Sequence, residues 1–111
     1  MNPYLSRLGY GPEDRVVVLH ADDIGMCHAT LPAYVDLLEF GLISSAATMV
    51  TCPWFPQAAA HCRAQPEADM GAHLTLTCEW DDYRWGPIST RDYASGLLDA
   101  EGYVHRTSEA A

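Results

Sequence analysis

The sequence predicts an α/β chain in which parallel strands alternate with helices in the order β-α-β-α-β. Three observations carry this expectation. Short apolar runs recur at residues 16–19, 42–50 and 70–77. Stretches that read as helices lie between them, at residues 27–40 and 55–65. Each connection is therefore a helix-length crossover, and such crossovers join parallel strands along a right-handed path.

Residues 1–14 hold Pro3, Gly9, Gly11 and Pro12 and are expected to be an irregular lead-in. Val16, Val17, Val18 and Leu19 run without interruption, the pattern of a strand buried on both faces. Over residues 27–40, Leu31, Val35 and Leu38 share one helical stripe, Pro32 falls near the first turn and Gly41 marks the stop. "LISSAATMV" reads as the second strand, and "TCPWFP" breaks it. A second short helix over residues 55–65 ends before Pro66. "MGAHLTLT" alternates strictly, so His73, Thr75 and Thr77 share one face and Leu74 and Leu76 the other. Beyond Cys78 the chain turns polar and aromatic, with at most a helical turn and a hairpin around Glu101 and Gly102.

A chain of 111 residues has room for one domain, and an apolar content of 49% is enough for a core and too high for a disordered chain. Fifteen acidic side chains face six basic ones, all arginine, for a net charge of −9. That balance argues against nucleic acid and against an anionic membrane as partners. Cys27, Cys52, Cys62 and Cys78 contain no C-x-x-C pair, which argues against a zinc ribbon, and are expected to be reduced. The start of the chain has no apolar signal-peptide core, and no apolar run approaches the ~20 residues that span a bilayer. The expectation is a soluble, cytoplasmic protein.

The chemistry centres on "HADDIG". Adjacent carboxylates at a strand end repel, so one must bind its proton more tightly, both must stay wet, or a cation must sit between them. Functional groups in parallel α/β folds gather at the carboxyl ends of the strands. There Asp22 and Asp23 from the first strand meet His73 from the third. Carboxylate with imidazole suits zinc and related ions, whereas carboxylate-rich sets lean to magnesium. The bland alternatives are a solvated turn or helix cap for the acidic pair and a core position for the histidine. His20 is expected to pack or hydrogen-bond beside the pair. His28, His61 and His105 read as surface residues, and Cys27 has no base placed to activate it. Trp80, Tyr83 and Trp85 form either a sugar-stacking wall or a packed loop cover.

"HADDIG", "SSAATMV" and "GAHLTLT", in this order, resemble the YdjC-like carbohydrate deacetylases, also called ChbG/HpnK deacetylases, of the NodB-type polysaccharide deacetylases. "RWGP" and "LLDAEGYVHRT" resemble the segment that follows. The likeness runs over about residues 14–107. It implies the N-terminal part of an irregular, TIM-barrel-like (β/α) barrel with one divalent metal ion, Mg²⁺ or Zn²⁺, at its mouth. It implies hydrolysis of N-acetyl groups on sugars such as chitooligosaccharide units. By position, Asp22 resembles the family's catalytic base, and Asp23 and His73 resemble metal ligands. Trp80, Tyr83 and Trp85 lie where a sugar could be contacted.

The family's downstream "H-x-D-x-H" motif, which supplies a third ligand and a general acid, has no counterpart after residue 77. The chain is therefore expected to be a single incomplete domain, the N-terminal portion of a longer enzyme. The rival reading is an inactive fragment or a module that works with a partner chain; the expected partners are an acetylated sugar and, in a homodimer, a second copy of the chain. A magnesium-binding receiver domain is a remote alternative, because it needs a lysine and this chain contains none.

Overall fold

Residues 3–89 and 91–111 are described by the computed structural model. A one-turn helix, α1 (Pro3–Arg7), lies within the expected lead-in and buries no residue. Strands β1 (His20–Ile24), β2 (Ser45–Thr48) and β3 (Met70–Ala72) form one parallel sheet in the order β1-β2-β3. The crossovers are α2 (Thr30–Glu39) and α3 (Phe55–Ala64). The α/β class, the parallel strands and the alternation of elements are those expected from the sequence.

The stripe on α2 packs as its spacing requires. Leu31, Val35 and Leu38 close on a core of Ile24, Tyr34, Ala46 and Ala58. Tyr34 completes the stripe and is 1% exposed. Its ring meets His61 of α3 edge-on, with centroids 5.7 Å apart. His61 is thus half-buried between the helices and not the surface residue expected. Gly41, at φ +78°, ends α2 in the left-handed conformation that favours glycine.

Two strands differ from expectation. The run Val16, Val17, Val18 and Leu19 is not a buried strand: Val17 and Val18 are more than 70% exposed. A β-branched run becomes a strand only when its edges and faces find partners. Here the Leu19 carbonyl accepts one bond, from the Ser44 N–H, and pairing begins at His20. The third strand stops at Ala72 instead of Thr77, because β2, its partner, stops at Thr48. His73 N–H makes the last bond across, to Thr48 O. Beyond it, Thr75 N–H turns to His73 O and Leu76 N–H to Leu74 O, three-residue turns in place of a ladder. The alternation persists: His73, Thr75 and Thr77 are half-buried while Leu74 and Leu76 are exposed.

After Cys78 the chain wraps back, irregular but for the expected helical turn, a 3-10 turn at Tyr93–Ser95, over a second core of Met49, Cys52, Cys78, Trp85, Leu98 and Val104. Cys78 N–H donates to His105 O and Val104 N–H to Trp85 O. The expected hairpin is present as an antiparallel bridge between Leu98 and Val104, its turn passing through Gly102 at φ +85°. Gly86 approaches that turn so closely that a Cβ there would lie 2.8 Å from Gly102 O. All four cysteines are free. The radius of gyration is 17.5 Å, against about 13 Å for a compact domain of this length. Among the described residues no helix is long and apolar enough to cross a membrane.

Candidate metal centre

The carboxylate arm of the site is built by an irregularity in β1. Ala21 pairs with Ala46 and Ile24 with Thr48, so three steps on β1 oppose two on β2. The extra residue falls in the Asp22–Asp23 pair, and such a bulge re-aims side chains at a sheet end. Asp23 takes φ +59°, which a short polar side chain tolerates and a β-branched one does not. Gly25 follows at φ +92°, and a Cβ there would meet Phe55 N at 3.1 Å and Thr48 Oγ1 at 3.3 Å.

Four successive carbonyls of this turn are held. Asp23 O accepts from Met26 N–H, Ile24 O from Met49 N–H and the Thr48 hydroxyl, and Gly25 O from Trp54 N–H. Met26 O accepts from the Tyr83 hydroxyl. Thr30 Oγ1 accepts the Gly25 N–H and donates to Cys27 O, both at 2.8 Å. The backbone beneath the acidic pair is therefore fixed from β2, α2, α3 and the C-terminal coil.

The imidazole arm comes from the end of β3. His73 Nε2 lies 3.4 Å from Asp23 Oδ1 and 3.9 Å from Asp22 Oδ2. One ligand atom from each of the three residues lies within 4.8 Å of the others, so the group can hold a metal ion. The donor chemistry fits, since two carboxylates and an imidazole form a hard-to-borderline oxygen and nitrogen set. Electrostatics point the same way. Burial pushes the Asp23 carboxyl up, the charge of Asp22 adds to this, His73 opposes it and Glu79 adds a little more. A cation there would relieve the crowding of negative charge.

The cluster opens into a cavity of about 200 Å³ whose lining includes Glu79, Trp80 and Trp85. A second cavity of about 450 Å³ adjoins it through His73 and is walled by Leu74, Leu76, Ile88 and Leu97. The three aromatics separate into different roles. Trp80 is 47% exposed at the rim. Trp85 is buried, its indole N–H donating to Thr75 O at 3.3 Å. Tyr83 is half-buried; burial first, then the neighbouring Cys52, pushes its hydroxyl up to about 12.

The remaining histidines stand apart. His20 Nδ1 is 2.8 Å from Ser45 Oγ, so it bonds along the sheet and not to the acidic pair. His28 is exposed and meets Trp54 edge-on. His105 is half-buried, with Nε2 3.0 Å from Gly96 O, so it is not part of a free polar tail. Sequence reasoning passed over Glu79 and gave Thr48 no role of its own. Glu79 continues the period-two face of His73, Thr75 and Thr77, a signal that was there to be followed.

The profile of the YdjC-like proteins matches residues 16–111, which include the whole cluster. The chain belongs to the YdjC-like carbohydrate deacetylase family. A carbohydrate deacetylase of Thermus thermophilus is 37% identical over 106 residues, 96% of this chain and 34% of that protein. A carbohydrate deacetylase of Enterococcus faecalis is 29% identical over 96 residues, 86% of this chain and 35% of that protein. Among solved structures, an Enterococcus faecalis protein named for cellobiose-phosphate cleavage superposes with a TM-score of 0.68 at 29% identity. It covers 82% of this chain and 34% of that one. This YdjC-like chain thus spans about a third of the length of the relatives it matches.

Proposed function

We propose that this chain carries the base and part of the metal shell of a metal-dependent carbohydrate deacetylase, a hydrolase that removes N-acetyl groups from sugars. The observation that supports this is the convergence of Asp22, Asp23 and His73 at the ends of β1 and β3, in a chain of the YdjC-like family. Asp23 and His73, the closer pair, hold the ion, magnesium or zinc. A divalent ion bound there supplies Lewis acidity to an amide carbonyl and lowers the pKa of water.

The protein's own groups do the rest. Asp22 is the more exposed carboxylate, its side chain 70% accessible against 46% for Asp23. It stays off the ion and takes the proton of the attacking water at Oδ2. Trp80 offers an apolar ring face at the rim, suited to the apolar face of a sugar. Tyr83 and Trp85 support the floor through Met26 O and Thr75 O.

The parallel β-α-β-α-β order and the exposed Val17, Val18, Leu74 and Leu76 fit the first part of an irregular (β/α) barrel whose further strands cover these faces. The third ligand and the general acid then come from outside these 111 residues. The test is a chimera in which this chain replaces the matched third of the Thermus thermophilus relative, its folding checked by circular dichroism. Acetate release from N-acetylated chitooligosaccharides should require magnesium or zinc and should be lost in His73→Ala and Asp23→Ala. Turnover untouched by both substitutions would sink the proposal.

A further inference from the structure

We infer that Thr48, which touches neither metal nor substrate in this reading, is a positioning residue that sets the gap between the carboxylate and imidazole arms. Thr48 is the last residue of the middle strand and pairs on both sides, with Ile24 of β1 and with Ala72 of β3. Asp23 immediately precedes the first of these partners and His73 immediately follows the second. The hydroxyl of Thr48 donates to Ile24 O at 2.7 Å, and its carbonyl accepts the His73 N–H at 2.9 Å. Among the described residues it is the one polar residue that is buried, 6% exposed. One residue therefore ties down both arms, through its side chain on one side and its backbone on the other.

The side-chain bond has a particular target. Asp23 holds a left-handed conformation at φ +59°, which persists only where the surroundings over-determine it. Removing the hydroxyl leaves Ile24 O with its Met49 N–H, so no buried carbonyl is orphaned and the sheet can survive. What is lost is the second restraint on the Ile24–Gly25 peptide, one residue beyond Asp23. The carboxylate then samples positions farther from His73 Nε2, and a shared ion is held less well. Thr48→Val keeps the shape and removes the donor; Thr48→Ser keeps the donor.

This inference rests on the metal-centre reading above, and the experiment separates the two. The 111-residue chain and its variants are titrated with zinc by calorimetry, and thermal unfolding is recorded without metal. Loss of an outer partner of a metal ligand typically weakens affinity about 10–100-fold. Thr48→Val should fall in that range, and Thr48→Ser should stay within about twofold of wild type, the hydroxyl being the part that orders the ligands. If Thr48→Val does not fold, Thr48→Ala carries the same comparison with Thr48→Ser. Equal affinity of wild type and the hydroxyl-less variant overturns the inference alone, as does equal weakening in Thr48→Ser. A folded wild type that binds no zinc overturns the metal-centre reading and this inference with it.

Discussion

His73 Nε2 stands 3.4 Å from Asp23 Oδ1, although the two residues leave different strands and are fifty positions apart in the chain. The parallel sheet makes this possible: β1 and β3 end on the same rim, with only β2 between them. A bulge in β1 then turns the carboxylate towards the imidazole.

That geometry predicts one divalent site. Calorimetric titration of the chain with zinc or magnesium should give a single binding event, weak because much of the coordination is left to water. The Asp23→Ala/His73→Ala double variant should lose it. Binding of the same strength in the double variant would show that the ion, if any, sits elsewhere.

Asp22 is expected to separate from its neighbour by function. In the Thermus chimera, Asp22→Asn should lower turnover by about 10²–10⁴-fold, the usual contribution of a general base, while metal content stays near one per chain. A rate loss that follows metal loss in parallel would make Asp22 a ligand.

The aromatics should divide by burial. Trp85 is 6% exposed, and Trp85→Ala should cost about 3–5 kcal/mol in urea melts, as for large core truncations. Trp80 is 47% exposed, and Trp80→Ala should change stability by no more than about 0.5 kcal/mol. Its effect should fall on the KM for acetylated sugar in the chimera. A Trp80→Ala chimera with unchanged KM would remove Trp80 from the sugar path.

How much of this was legible in the residues depends on where each hydrogen bond ends. The acidic pair and His73 each read alone as a turn, a cap or a core position; they were legible together because parallel strands end on one rim. Thr48 was not, because a threonine inside "SSAATMV" looks like any strand residue until its two partners are known. Residues 16–19 misled because a valine run reports what the chain can bury, not whether a cover is present. His61 was misassigned because its burial depends on Tyr34, a contact between two helices. Trp85 and Tyr83 read alike in sequence; they separate from Trp80 only through bonds to Thr75 O and Met26 O.

The C-terminal hairpin should be acid-sensitive. Burial alone would raise the Asp99 carboxyl, but Tyr103 N–H, the Arg84 guanidinium and Glu101 N–H outweigh it and hold it below its ordinary 3.8. Arg84 Nη1 reaches Asp99 Oδ2 at 2.8 Å and lies over the Tyr103 ring. A depressed carboxyl stabilises the fold above its unfolded value and loses that contribution as pH falls through the folded value. The thermal midpoint should therefore drop below about pH 4, and Asp99→Asn should start lower at neutral pH and drop less. Parallel pH profiles for the two proteins would refute this.

The 111 residues alone should not turn over substrate. In the proposed site Asp23 and His73 would give an ion two protein ligands, whereas catalytic zinc sites usually have three. The leaving amine needs a proton donor, and His105, the late histidine, is engaged with Gly96 O. Structure adds to the difficulty. Both β1 and β3 are edges of the sheet, and exposed edges invite pairing between chains. Val17, Val18, Leu74 and Leu76 leave apolar surface beside those edges. The isolated chain should therefore self-associate in sedimentation velocity at micromolar concentration, bind metal weakly and release no acetate from N-acetylated chitooligosaccharides. Under the proposed reading, the Thermus chimera should restore turnover and the monomer together, since the added strands would both cover the edges and complete the metal shell. Metal-dependent turnover by a monomer of the isolated chain, abolished by His73→Ala, would mean that the cluster at the ends of β1 and β3 is catalytically sufficient without further strands.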